Sequence, residues 1–468
     1  MQARIFISAA LLLTASNGLA AEKPWSENAI STHVQMPMGT LSKPALEELT
    51  RQGKVLFSAK FTPHDGSGRP MATQAIIPTK RKRPSSQSFN RVVGMDSNGC
   101  SSCHNEPIVG GAGNFVSNVF VSEGFNNQGS DSIDPQFSNE RNTNHIMGAG
   151  LIELLAREMT ADLVALRKEA LTTARKDSKP ATVVLVTKGV NFGQLTASPD
   201  GLVDLSKLDG LDTDLVIRPF SQKGVMTSLR QFTVNALNHH HGIQATERFG
   251  IRWTGEDDFD GDGVTNEMSP GDISALVAWQ ATLAPPTKMT PKTEIWKIAA
   301  AKGSTLFDDI LCSSCHIKAL PLNSLKFSDP GPVDAAGTIR GSDVSASAIY
   351  DLALFKWARE LPKNDKGQVM VPLYGDLKRH VMTDADNDKF GNELLSQRFV
   401  ERSVFATTEL WGIGSTAPYG HRGDMTILTE VILAHGGEAK NSRDNYDALS
   451  EEERENIIAY LRTLVIEQ

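Results

Sequence analysis

Two five-residue segments carry the most specific chemistry in this sequence: Cys100-Ser101-Ser102-Cys103-His104 and Cys312-Ser313-Ser314-Cys315-His316. Between them they hold all four cysteines of the chain. Four cysteines in an oxidising compartment would ordinarily suggest disulfides. A thioether link to haem, however, needs two thiols spaced by two residues and a histidine directly after them to ligate the iron. Two such segments, with no cysteine left over, argue against zinc or thioredoxin-like chemistry. They predict two covalently bound haem c groups, attached through Cys100, Cys103, Cys312 and Cys315. His104 and His316 are then the proximal iron ligands.

A second constellation is acidic. In Asp258-Phe259-Asp260-Gly261-Asp262-Gly263-Val264-Thr265-Asn266, carboxylates at positions 1, 3 and 5 can converge on one hard cation. Gly263 permits the sharp turn, the Val264 carbonyl can ligate, and Asn266 can act through water. Position 12 is Ser269, so the glutamate of an EF-hand is missing, with Glu267 or Asp272 as substitutes. The expected ion is calcium, the alternative an acidic surface turn. A weaker run, Asp384-Ala385-Asp386-Asn387-Asp388, has Lys389 in place of the glycine.

The elements that must position these groups come in two similar sets. Gly53-Lys54-Val55-Leu56-Phe57 precedes the first cysteine segment and Gly303-Ser304-Thr305-Leu306-Phe307 the second, each on an expected helix (Lys43 to Gln52 leading into one, a start near Pro291 for the other). Downstream, Val277 to Leu283 parallels Ile458 to Leu464. Each of those helices opens on a capping pattern, loose at Ser269-x-x-Asp272 and proper at Ser450-x-x-Glu453. The shared order points to an internal duplication. It resembles the cytochrome c fold, in which an N-terminal helix, the haem segment and a crossing C-terminal helix follow in turn. The expected fold is mainly α: two cytochrome c-like domains, 21–286 and 287–468, divided after Ala284-Pro285-Pro286. The first is enlarged by a Gly-, Ser- and Pro-rich insertion at 58–99. It also gains a small β-hairpin from the apolar runs Val183 to Val186 and Leu215 to Ile217.

Length and charge narrow the setting. Residues 1–20 read as a secretory signal: Arg4, then an apolar stretch from Ile5 to Leu13, then a small-residue cleavage site. That stretch is shorter than the roughly 20 residues needed to span a bilayer, so a periplasmic protein without a transmembrane anchor is expected. About 450 mature residues exceed one core. The chain's net charge of −8 argues against a nucleic-acid partner, and the basic run Lys80 to Arg83 before Pro84 reads as a solvated loop.

Three further stretches carry a family resemblance: Asn235 to Gly242 with its His239-His240-His241 run, Glu247-Arg248-Phe249-Gly250 through Leu283, and Leu410-Trp411-Gly412 through Pro418-Tyr419-Gly420-His421-Arg422-Gly423. With the paired haem segments, they make the chain resemble the di-haem oxidoreductase branch of the bacterial di-haem cytochrome c peroxidase superfamily. The resemblance implies a distal ligand for the second haem fourteen residues beyond the turn histidine His421. That position is His435, where the peroxidases have methionine; Met425 is the fallback. Two imidazoles give a lower potential than a His/Met pair, and axial ligation moves potentials over about 0.8 V.

At the first haem, the position of the peroxidases' mobile histidine is Phe120, which implies an open iron. His239, His240, His241 and, less readily, His145 are the groups that could close it or act as acid–base catalysts, with Glu247 and Arg248 near in sequence. The tryptophan that the superfamily places between its haems has no counterpart between His104 and Arg252, which leaves Trp411 as an alternative bridge. The expected activity is peroxidase-like, with hydrogen peroxide or another small oxidant as acceptor. The alternatives are a pure electron-transfer cytochrome, or a maturation enzyme oxidising a protein partner. No redox partner is named by the sequence.

Overall fold

The computed structural model describes residues 25–68, 99–114, 116–121, 138–333, 337–393 and 397–467, with the side chains of 116–121 and 138–140 excepted. The expected signal at 1–20, the basic run at Lys80 to Arg83 and most of the 58–99 insertion lie outside the described residues, as does the Phe120 side chain. Helix makes up 39% of the chain and strand 15%, in several small sheets. The expectation of a mainly helical protein therefore holds only loosely.

Two crossed helix pairs organise the cysteine segments. α1 (Lys43–Ser58) is capped by Ser42, whose side chain accepts from the Ala45 N–H. α2 (Ala149–Asp177) is a long helix, and α3 (Leu229–Ala236) is capped by Ser228. α4 (Pro270–Thr282) has a full capping box, because the Asp272 side chain accepts from the Ser269 N–H as well. α5 (Glu294–Asp309), α6 (Leu428–Leu433) and α7 (Glu451–Leu461) follow, the last with the box at Ser450 and Glu453.

α1 crosses α4 and α5 crosses α7. The crossing point is the glycine of each G-x-x-L-F segment. A Cβ on Gly53 would lie 1.9 Å from the Ala275 carbonyl oxygen, and one on Gly303 would lie 1.9 Å from that of Asn456. Only a hydrogen at these positions lets the helix backbones approach so closely. One turn on, Phe57 packs on Trp279 (centroids 4.3 Å) and Phe307 on Tyr460 (5.7 Å). Ala275 and Asn456 each stand four residues before these partner aromatics, so the two crossings use equivalent positions.

The β excursion differs from the sequence expectation. Ala181–Thr187 pairs antiparallel with Val190–Ala197, which in turn pairs with Val203–Asp204. Lys188 and Gly189 both have positive φ (49° and 86°), as a type I′ hairpin turn requires. Leu215 to Ile217 form no strand, and Leu215 itself has φ 64°. The run was apolar because Leu215 and Ile217 are buried in the core, a demand that burial makes of loops as well as of strands.

Contacts also tie early residues to late ones. Gly39–Thr40 pairs in parallel with Ala348–Asp351, which pairs antiparallel with Lys326–Asp329. Wholly buried Arg230 of α3 forms ion pairs with Glu247 and with Asp329, and Tyr350 donates to Asp329 at 2.9 Å. Among the described residues, no helix is long and apolar enough to cross a membrane.

Candidate haem sites

The second cysteine segment follows α5 directly, as a 3₁₀ turn over Cys312–Ser314 entered through Leu311 at φ 66°. It delivers His316 beneath Phe307 (centroids 6.5 Å). The His316 Nδ1–H donates to the Tyr374 carbonyl at 3.1 Å. Facing it is His435, just past α6, whose Nδ1–H donates to the Val431 carbonyl at 2.7 Å. The two rings have centroids 6.5 Å apart and planes at 62°.

With both Nδ1 atoms engaged by carbonyls, both Nε2 lone pairs are left for a ligand. Two imidazoles bonded to one first-row metal at about 2 Å each would have much the same spacing. Burial pushes the His316 pKa down to about 4 and lowers that of His435, so both rings are neutral, as metal ligation requires. Phe390 lies edge-on to His435 at 5.8 Å. The residues present fit an iron held between His316 and His435. Met425 is instead buried under the turn, close enough that a Cβ on Gly420 would meet its Cε at 2.3 Å.

The first segment repeats the local build. A 3₁₀ turn at Cys100–Ser102 leads to His104, whose ring lies 6.0 Å from Phe57. Burial lowers its pKa to about 4. The three consecutive histidines lie on a single π-helical turn, Leu237–His241, that continues α3 and ends at Gly242 with φ 68°. Such wide turns redirect side chains and recur at functional sites. His241 is the member brought to the first segment, with its Nε2 3.8 Å from Cys100 Sγ and its ring 5.7 Å from Phe61. Glu247 is buried and its carboxylate faces Arg230. Arg248 is buried as well, and burial lowers its pKa to about 10.

Trp411 is buried against the stretch that follows the first segment. A Cβ on Gly148 would come within 2.7 Å of its ring, and its indole N–H has no hydrogen-bond partner among the described residues. The His145 Nε2–H donates to the Trp411 carbonyl at 2.9 Å. His145, its pKa pushed down to about 4 by burial, therefore serves the tryptophan loop.

His421 donates through Nε2 to Asn392 at 2.8 Å and packs on Phe405 at 4.6 Å. Around it stands a buried cluster absent from the sequence reading: Arg141, Lys223 and Glu393. Another unanticipated group is His380, held between Asp376 (2.9 Å) and Glu438 (2.7 Å) beside Cys315. Nothing in the local sequence marks either full set, because Arg141, Lys223 and Glu393 come from distant segments and Glu438 lies 58 residues from His380.

Residues 360–464 match the family model described as di-haem oxidoreductase, putative peroxidase. Over these residues the chain is similar to the di-haem oxidoreductases. The matched stretch contains His380, Trp411, His421, His435 and α7. No curated protein matches the chain. Among solved structures, a Kuenenia stuttgartiensis hydrazine synthase chain is 14% identical, covering 99% of this chain and 100% of its own at a TM-score of 0.37. A MauG-like protein associated with microbial copper homeostasis is 14% identical, covering 94% of each at 0.35.

The acidic loop folds around Asp258, whose carboxylate accepts from the N–H groups of Gly261, Asp262 and Gly263. Asp258, Asp260 and Asp262 present oxygens within 4.8 Å of one another. Asn266, at φ 53°, accepts from Thr246 Oγ1. At the weaker run, Asp384 spends its oxygens on the N–H groups of Asp386, Asn387 and Gly437. Those bonds make it a loop brace.

Proposed function

We propose that the chain is an exported di-haem c-type oxidoreductase that uses peroxide at its first haem and stores or relays electrons at its second. Its two haems would be attached through Cys100 and Cys103 in 21–286 and through Cys312 and Cys315 in 287–468, with calcium at the acidic loop. The observation that carries this reading is the facing pair His316 and His435, each with Nδ1 on a backbone carbonyl. It supports a doubly ligated, low-potential second haem. Haem bound at the two sites would supply the redox chemistry, passing electrons to a small oxidant.

The protein's own residues do the rest. Carbonyls of Tyr374 and Val431 fix the tautomers of the second pair. At the first site, His241 is the group placed to move a proton between the two oxygens of a peroxide, because a neutral imidazole can accept one and return it. Glu247, held by Arg230, is less suited to that task. Trp411 stands beside the first-site loop while belonging to the family-matched stretch 360–464, which suits a path between the sites.

A second reading has its own observation. His241 lies so near Cys100 that it could instead ligate the first iron, which would make the protein a closed electron-transfer cytochrome. Electron paramagnetic resonance of the oxidised protein separates the two. A high-spin signal that peroxide abolishes is expected, and two low-spin signals unmoved by peroxide would overturn the peroxidase reading. His435→Ala should turn one low-spin signal high-spin with both haems still attached; an unchanged spectrum would remove His435 from the iron.

A further inference from the structure

We propose that one calcium ion bound by Asp258, Asp260, Asp262 and Glu267 holds the His239–His241 turn in its working position. The ligand set departs from an EF-hand: Glu267, tenth in the loop, replaces the absent twelfth-position glutamate.

Asp260 is the strongest sign of a missing cation. Its side chain is fully buried, and among the described residues neither carboxylate oxygen makes a well-formed hydrogen bond, the backbone N–H groups of the loop contributing only weakly. A buried polar group left unsatisfied is destabilising, and a buried charge more so. Burial raises its pKa to about 7, and the neighbouring charges of Asp262 and Asp258 push the same way. Glu267 is buried as well, its pKa raised by burial and then by Asp260, Asp262 and Asp258. Asp258, Asp260 and Asp262 thus crowd one spot, and Glu267 is near enough to feel the charge of all three. An all-oxygen, flexible donor set of this charge suits calcium, which accepts six to eight oxygens, better than magnesium or a soft metal.

The loop is also fastened to the histidine turn. Glu267 Oε2 accepts the Gln244 N–H at 2.6 Å, three residues past His241. The Thr246 N–H donates to the Met268 carbonyl at 3.0 Å, and Phe249 packs on Phe259 at 6.0 Å. From the other side, Ser67 Oγ donates to the His241 carbonyl at 3.0 Å, while neighbouring Gly66 lies so near Glu267 that a Cβ there would meet its Cγ at 2.3 Å. Without the cation, repulsion among the carboxylates would drive Glu267 away and release Gln244. With it, Glu267 stays as the peg between the 62–68 loop and the histidine turn.

Ion binding stands on the loop alone; the control of haem 1 rests on the reading of His241 given above. The test uses the haem-loaded protein, stripped with a chelator and titrated with calcium. Binding of one ion per chain is expected by calorimetry and elemental analysis, with affinity lowered at least tenfold in Asp262→Asn, whose side chain is exposed, and in Glu267→Gln. No bound ion, or unchanged affinity in both variants, would overturn the site. Calcium should also slow hydrogen exchange of the 237–247 amides at least tenfold while leaving α7 unchanged. Binding without that protection would overturn the coupling. If the ion binds and protects the turn but His241→Ala leaves the rate of the peroxide-induced spectral change at the first haem unmoved, the role given to His241 fails and the calcium site stands.

Discussion

Gly303 lies against Asn456 so closely that a Cβ would sit 1.9 Å from a backbone oxygen, and Gly53 stands in the same relation to Ala275. Neither contact can be relieved by turning a side chain, since the obstacle is helix backbone. Gly303→Ala and Gly53→Ala should each cost about 3 kcal/mol or more, at the upper end of overpacking effects. Gly367→Ala provides the contrast: its Cβ would meet nothing, although its φ of 77° carries a strain cost of its own. Denaturant unfolding of the three variants checks this, and a Gly303→Ala protein as stable as Gly367→Ala would mean that the helices can part without penalty.

These crossings were legible before the structure because a repeated G-x-x-L-F leaves a mark in one dimension. The caps at Ser269 and Ser450, and the order of helix, cysteine segment and helix, were legible for the same reason. Two kinds of feature were not. α2 carries long apolar rows, but no chemical motif marks its segment. The Arg141, Lys223, Glu393 and His421 cluster is assembled from four segments far apart in sequence, one of them the strand Ser138–Asn142, so no spacing announces it. The hairpin was half-legible: the strand Ala181–Thr187 reads correctly, but its partner Val190–Ala197 alternates weakly and is announced only by the Lys188-Gly189 turn.

Glu247 offers a test of structural against catalytic duty. Arg230 is almost fully buried between Glu247 and Asp329, so Arg230→Met would leave two carboxylates buried without their cation. The expected loss is about 3–5 kcal/mol. Glu247→Gln keeps a hydrogen-bond acceptor for the guanidinium and should hold the rate of peroxide turnover within about twofold. A tenfold slower turnover at unchanged melting temperature would return an acid–base role to Glu247.

His421 gives the protein a specific acid sensitivity. Burial first, then Arg141, Lys223, Arg422 and Lys389, push its pKa down to about 2, whereas an unfolded histidine titrates near 6.5. The unfolded chain therefore binds one more proton throughout that window. Stability from this group is complete above about pH 6.5 and drains as pH falls toward 2, at about 1.4 kcal/mol per pH unit. His421→Gln can still donate to Asn392 but cannot titrate. The stability difference between wild type and variant should therefore shrink with that slope between pH 6.5 and 4.5. A difference that stays constant across the window would show that His421 is not held neutral.

Trp411 links the two sites in the proposed mechanism, and its surroundings make the test clean. The indole ring is buried against Gly148, while its N–H lacks a partner among the described residues. Trp411→Phe therefore loses no internal hydrogen bond and leaves only a modest void, worth about 1–2 kcal/mol. The loop's hold on the first half would survive, because His145 donates to the backbone carbonyl of residue 411 and not to the ring. A purely structural tryptophan would then show a small drop in melting temperature and nothing else. If the ring carries electrons between the haems, stopped-flow reduction of the variant should show them equilibrating at least tenfold more slowly, with both absorption spectra unchanged. The His145→Ala variant supplies the control: it loosens the loop while keeping the indole, so it should lower stability more than it slows transfer. Equal transfer rates in wild type and Trp411→Phe would remove the tryptophan from the path and leave it as packing.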